Sequence, residues 1–145
     1  MNNQDTSFSL TKGERDGLPY FAIVRHAFQQ FGRRANLQWL LKIEIDIEYP
    51  TEIGLVPNME AEELNNLEDF FQNKLRSVAD ILFVARITWN GIRFLYFYVS
   101  EPKPIAEQLD LLIQTGQYPK EFEYRIERDP RWEKMAEIIP NINDL

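Results

Sequence analysis

The stretch ILFVARIT-WNG-IRFLYFYV, Ile81 to Val99, constrains the fold more than any other part of the chain. Asn90-Gly91 accepts the positive φ angles of a type I′ turn, so the apolar runs on either side predict a two-residue β-hairpin. Successive strand residues point to opposite faces, and the second strand is apolar on both: Leu95, Phe97 and Val99 on one, Phe94, Tyr96 and Tyr98 on the other. A strand of this kind needs a cover on each face: helices can supply one, and the other falls to the 18–28 segment, a second subunit or a partner.

One cover is legible. MEAEELNNLEDFFQNKLR places Leu64, Leu67, Phe71, Leu75 and Val78 at helical spacing, with Asn58 as a candidate cap, glutamates early and Lys74 and Arg76 late. IAEQLDLLIQ gives a second stripe of Ile105, Leu109, Leu112 and Ile113, opened by Pro104 and stopped by Gly116. WLLKIEIDIEY alternates Trp39, Leu41, Ile43, Ile45, Ile47 and Tyr49 with Lys42, Glu44, Asp46 and Glu48, a strand with one charged face. FEYRIER alternates likewise, and Asp129-Pro130 predicts a short helix carrying Trp132, Met135, Ala136 and Ile139 up to Pro140. The order strand, helix, strand, strand, helix, strand predicts an α+β fold with a ferredoxin-like β-α-β-β-α-β antiparallel sheet and both helices on one face. LPYFAIVRHAF, 18 to 28, predicts an extra N-terminal strand at an edge or as a hairpin partner. Residues 1–17 are expected to be a polar lead-in, and residues 18–145 one α+β domain.

The motif order resembles that of the bacterial family known as domain of unknown function 695 (DUF695). The resemblance rests on the Asn90-Gly91 hairpin with its Tyr-Phe-Tyr run and on Asp129-Pro130-x-Trp132-Glu133, and it spans about residues 18–140. It implies an α+β domain and brings no activity or catalytic residue with it.

Two arrangements of the hairpin follow. In the first, Leu95, Phe97 and Val99 face the helices with Leu82 and Val84 opposite, leaving Phe94, Tyr96 and Tyr98 with Phe83, Ile87 and Trp89 on an open face. In the second, the aromatic set faces the helices. Aliphatic side chains fill a dry core without polar atoms to satisfy, which favours the first; Arg86 and Arg93 count against it, since they would then have to reach the sheet's rim. In the first arrangement, Glu44, Asp46, Glu48, Phe83, Trp89, Phe94, Tyr96 and Tyr98 form an aromatic and acidic surface that needs a cover.

Sixteen Lys+Arg against 23 Asp+Glu give a net charge of −7, which suits a basic protein surface and repels a phosphate backbone. The hairpin also lacks the glycine pattern of an RNA-binding strand, so no nucleic-acid partner is expected. The absence of cysteine removes disulfides and thiolate chemistry, and His26, the only histidine, reads as structural. Neighbouring carboxylates on one strand face are about 6.5–7 Å apart, too far for adjacent ligands of one ion. Gly32-Arg33-Arg34 reads as a surface loop, Asp129 as a helix cap and Trp132 as a core anchor. No secretory leader or apolar membrane span is evident, so a cytoplasmic location is expected. The sequence therefore predicts a protein-binding or regulatory module without catalytic residues or cofactor, engaging a protein partner or a second copy through the open face. The alternative is an enzyme or small-ligand or divalent-cation domain using those carboxylates.

Overall fold

The computed structural model describes residues 8–26, 34–116 and 121–138. The fold is α+β: strands β1 (Phe8–Arg15), β2 (Leu18–Arg25), β3 (Trp39–Asp46), β4 (Ile81–Trp89), β5 (Ile92–Val99) and β6 (Phe122–Arg128), with helices α1 (Asn58–Arg76), α2 (Pro102–Thr115) and α3 (Lys134–Ile138). The strands form one sheet in the order β1-β2-β4-β5-β3-β6, every neighbour antiparallel. β5 is thus an inner strand, as its two apolar faces require.

Local chemistry sets most of the connections. Asn90 (φ 52°) and Gly91 (φ 78°) make the expected type I′ turn between β4 and β5. Asp16 (φ 53°) and Gly17 (φ 82°) do the same between β1 and β2, which pair over all eight residues. Phe8–Arg15, expected as part of a polar lead-in, is therefore a full edge strand; the Asp-Gly pair was its signal. Residues 18–25 form the extra strand, second from the edge, while Ala27 and Phe28, and also Gly32 and Arg33, lie outside the described residues.

α1 begins one residue earlier than a cap at Asn58 requires: Asn58 is already helical and Pro57 occupies the cap position without a side-chain bond. The buried Glu60 carboxylate instead accepts the backbone N–H groups of Glu48 and Tyr49, 2.8 Å each, tying the loop after β3 to the first turn of α1. α2 ends at Gly116 in the left-handed region. Ile113, expected in the α2 stripe, is exposed; Ile105, Leu109 and Leu112 are its buried residues.

α1 and α2 pack on one face. Leu64, Leu67, Phe71, Leu75, Ile105, Leu109 and Leu112 enclose a core with Leu41, Ile43, Ile45, Leu95, Phe97 and Val99. The second face has its own core: Ala22, Val24, Leu40, Leu82, Val84, Ala85, Ile87, Tyr96 and Tyr98 lie beneath Leu37, Trp132 and Met135. The first arrangement of β5 is the observed one, and the cover of its other face comes in large part from the chain itself.

Candidate functional site

The second sheet face carries most of the residues that the sequence marks for partner binding. Register brings the acidic row to the aromatics as expected, with Lys42 opposite Tyr96, Glu44 opposite Phe94 and Asp46 opposite Ile92. What differs is how much of this face is accessible.

Tyr98 is fully buried. Its hydroxyl donates to Asp129 Oδ2 at 2.7 Å, and its ring stacks on Trp132 with centroids 4.4 Å apart and planes 11° from parallel. Asp129 gathers the chain around it: its carboxylate also accepts the backbone N–H groups of Glu133 and Lys134 at 3.0 Å, and its own N–H donates to Gln38 O. The carboxylate thus caps the first turn of α3 from a distance. The helix starts at Lys134, later than expected, because Trp132 sits at φ 58°, outside helical space. In that conformation the buried indole donates Nε1–H to Leu37 O at 2.7 Å. The segment 129–138 is consequently a latch over the second face; Ile139 and Pro140 lie outside the described residues.

Tyr96 is 5% exposed, and burial pushes its hydroxyl up to about 12, with Arg15 acting in the opposite sense and Glu44 in the same one. Trp89 is half-buried and donates Nε1–H to Arg15 O at 3.0 Å, while the Arg15 guanidinium lies over the Trp89 and Tyr20 rings and donates to Ile138 O. Phe94 is half-buried and stacks on Tyr96. Asp46 and Glu48 are exposed, Glu48 beyond the end of β3; Glu44 pairs with Lys42 at 3.1 Å.

Phe83 does not belong to this face. Counting back from the turn pairs it with Tyr98, but the observed partner of Phe83 is Phe97, because Val84 is an extra residue between the pairs Phe83–Phe97 and Ala85–Tyr96. This β-bulge turns Ile81 and Phe83 toward the helices and Leu82 and Val84 away from them, reversing the expected assignment of Leu82, Phe83 and Val84. Beside it, Arg25 Nε–H donates to Phe83 O at 2.7 Å, just past the last β2–β4 pair.

Arg86 and Arg93 do face the helices and lie beneath α1 without escaping to a rim, Arg86 fully paired there and Arg93 with its buried Nε left without a hydrogen-bond partner among the described residues. Glu68 holds Arg86 through two bonds of 2.8 and 3.2 Å. Asn65 accepts from Arg93 Nη1, and burial together with the nearby Arg86 lowers the Arg93 guanidinium to about 10. The signal was present in α1: Glu60, Leu64, Glu68 and Phe71 share a helical face, so two glutamates sit within the apolar stripe.

For chemistry, the arrangement offers little. Among the described residues no group of three or more His, Cys, Asp or Glu is placed to hold a metal ion, and His26 is exposed just past β2. A cleft of about 230 Å³ beside the latch, lined by residues including Arg128, Pro130, Arg131 and Lys134, falls below the roughly 300–1,000 Å³ of small-molecule sites. No helix among the described residues is long and apolar enough to cross a membrane.

The model of the family described as "Family of unknown function (DUF695)" matches residues 13–138. No curated protein and no solved structure matches the chain. The matched span runs from the end of β1 through the hairpin and the latch to α3, most of the chain, and on that ground the protein belongs to the DUF695 family.

Proposed function

We propose that this domain is a non-enzymatic, cytoplasmic protein-binding or regulatory module that presents an acidic surface to a basic partner, a location with which its cysteine-free composition is compatible. The observation that carries this is the acidic run formed by the end of β3, the loop after it and the first turns of α1. Between Lys42 and Lys74 there is no Lys or Arg, and the exposed Asp46, Glu48, Glu52, Glu62 and Glu63 accompany exposed Tyr49, Ile53 and Met59. The Glu60 carboxylate and the Gly91 N–H to Gly54 O bond hold this loop in one shape, so little ordering is required on binding. The binding surface is thereby moved from the latched aromatics to the acidic row and the loop that continues it, with Phe94 at its border. The order β4-β5-β3-β6 supports reading the β3-to-β6 segment as a ferredoxin-like unit that displays this run.

No observation favours a cation or small-ligand reading of Glu44 and Asp46, since the one is paired with Lys42 and the other stands at the strand end. Affinity capture with the wild type and an Asp46→Lys, Glu52→Lys variant tests the proposal. Captured proteins should be lost from the variant and from the wild type at high salt; an unchanged list for both sinks the assigned surface.

A further inference from the structure

Where the second sheet face reaches the two hairpin turns, half-buried aromatic rings hold a cation that belongs to the chain itself. Register sets Gly13, Tyr20, Trp89, Ile92 and Asp46 in one row across five strands, with Phe94 diagonally across from Trp89 and opposite Glu44. The Tyr20 ring lies across Gly13, where a β-carbon would stand 2.5 Å from it, so the glycine leaves room for the ring. The Arg15 guanidinium sits 5.9 Å from the Trp89 centroid and 6.0 Å from that of Tyr20, and it donates to Ile138 O. Among the described residues no carboxylate pairs with it. Trp89 is held separately, since its Nε1–H donates to the backbone oxygen of Arg15 and needs nothing from that side chain.

We propose that Tyr20, Trp89 and Ile138 O form a guanidinium site, which Arg15 fills in the free protein and an arginine side chain of a basic partner takes over on binding. Ring faces attract cations, and two rings beside a carbonyl acceptor suit a planar donor better than a compact ammonium group. Asp46, exposed at the end of the row, adds attraction for a basic chain, while Glu44 is already paired with Lys42. The inference rests on the basic-partner reading above and supplies the side chain which that reading leaves unspecified. Arg15 then acts as a built-in competitor: it lowers the partner's apparent affinity by the fraction of molecules in which the site is free.

The test is an NMR titration of the full chain, wild type and Arg15→Ala, with capped peptides Gly-Ser-Xaa-Ser-Gly in which Xaa is arginine, lysine or the neutral isostere citrulline. Arg15→Ala empties the site but keeps the backbone bond to Trp89. The arginine peptide should shift the Trp89 indole N–H and the amides of Tyr20 and Phe94, and should bind Arg15→Ala about tenfold more tightly than the wild type. The lysine peptide should bind several-fold more weakly and the citrulline peptide not at all, and adding Trp89→Leu to Arg15→Ala should abolish binding. Unchanged amide spectra for β3 and β5 verify the fold of each variant. Equal affinity of wild type and Arg15→Ala, equal affinity for arginine and citrulline, or no shift at Trp89 overturns the proposal. Shifts confined to residues 46–63 overturn it too and leave the acidic-surface reading standing, whereas an unchanged capture list for the Asp46→Lys, Glu52→Lys variant sinks that reading.

Discussion

Trp132 holds a left-handed backbone conformation that costs a bulky L-residue about 1–2 kcal/mol, and it does so at the centre of the second core. The stack on Tyr98, the bond to Leu37 O and the Asp129 carboxylate offset that cost by fixing the latch at one point. Tyr96, two residues along β5 from Tyr98, gives this face a measurable titration. Its folded hydroxyl, raised to about 12, keeps its proton after the unfolded one has lost it, so its stabilisation is complete below about pH 10 and is lost as pH rises toward 12. Tyr124, raised by partial burial and the Asp110 carboxylate, acts in the same direction. Arg93 acts in the opposite one, since its lowered value returns stability above about pH 10. Comparison with Tyr96→Phe separates them: between pH 9 and 12 the wild type should lose on the order of 2–3 kcal/mol relative to the variant in urea denaturation. Parallel stability curves would refute the assignment.

At the scale of elements, the bulge in β4 decides which side chains meet which helices. Removing Val84 leaves Phe83 opposite Phe97 and Ala85 opposite Tyr96 with every other residue on its present face. That deletion should fold, losing roughly 2–3 kcal/mol for a fully buried valine. Deleting Ile87, three residues on, forces one arm of β4 to exchange faces and sets Arg86 or Thr88 against the second core, so the chain should show no cooperative melt. Thermal denaturation followed by circular dichroism distinguishes the two, and equal behaviour would mean that the bulge does not set the register. The hairpin, the alternation of β3 and β6 and the stripes of α1 and α2 were legible because each follows from neighbours along the chain. The bulge was not: nothing in LFVAR marks Val84 as the extra residue.

For the whole molecule, the central finding is that one sheet carries two cores with covers of different origin. Helices contribute one; the other is a latch of ten residues, 129–138, closed on Leu37 and on Arg15. Ending the chain after Arg128 should expose Leu40, Leu82 and Tyr98 and leave a protein that binds a hydrophobic dye and has lost its near-ultraviolet tyrosine signal. A truncated chain with an unchanged near-ultraviolet spectrum and no dye binding would show that the latch is dispensable. The same latch removes Tyr98, and most of Tyr96, from any binding surface. Among the described residues, acidity is then left on the loop after β3 and the start of α1, and exposed apolar surface on Phe8 and Leu10 of β1.

Periodicity, turn dipeptides and charge are properties of adjacent residues, and they determined the elements, the central place of β5, the α+β class and the acidic row. The choice of what covers each face is a competition among distant segments for the same apolar surface. Only in the folded chain do Asp129 and Trp132 reach Tyr98, 31 residues away for the Asp129 bond, and only there does Glu68 meet Arg86. Burial and ion pairing at such separations depend on three-dimensional proximity, and tertiary packing alone decided them.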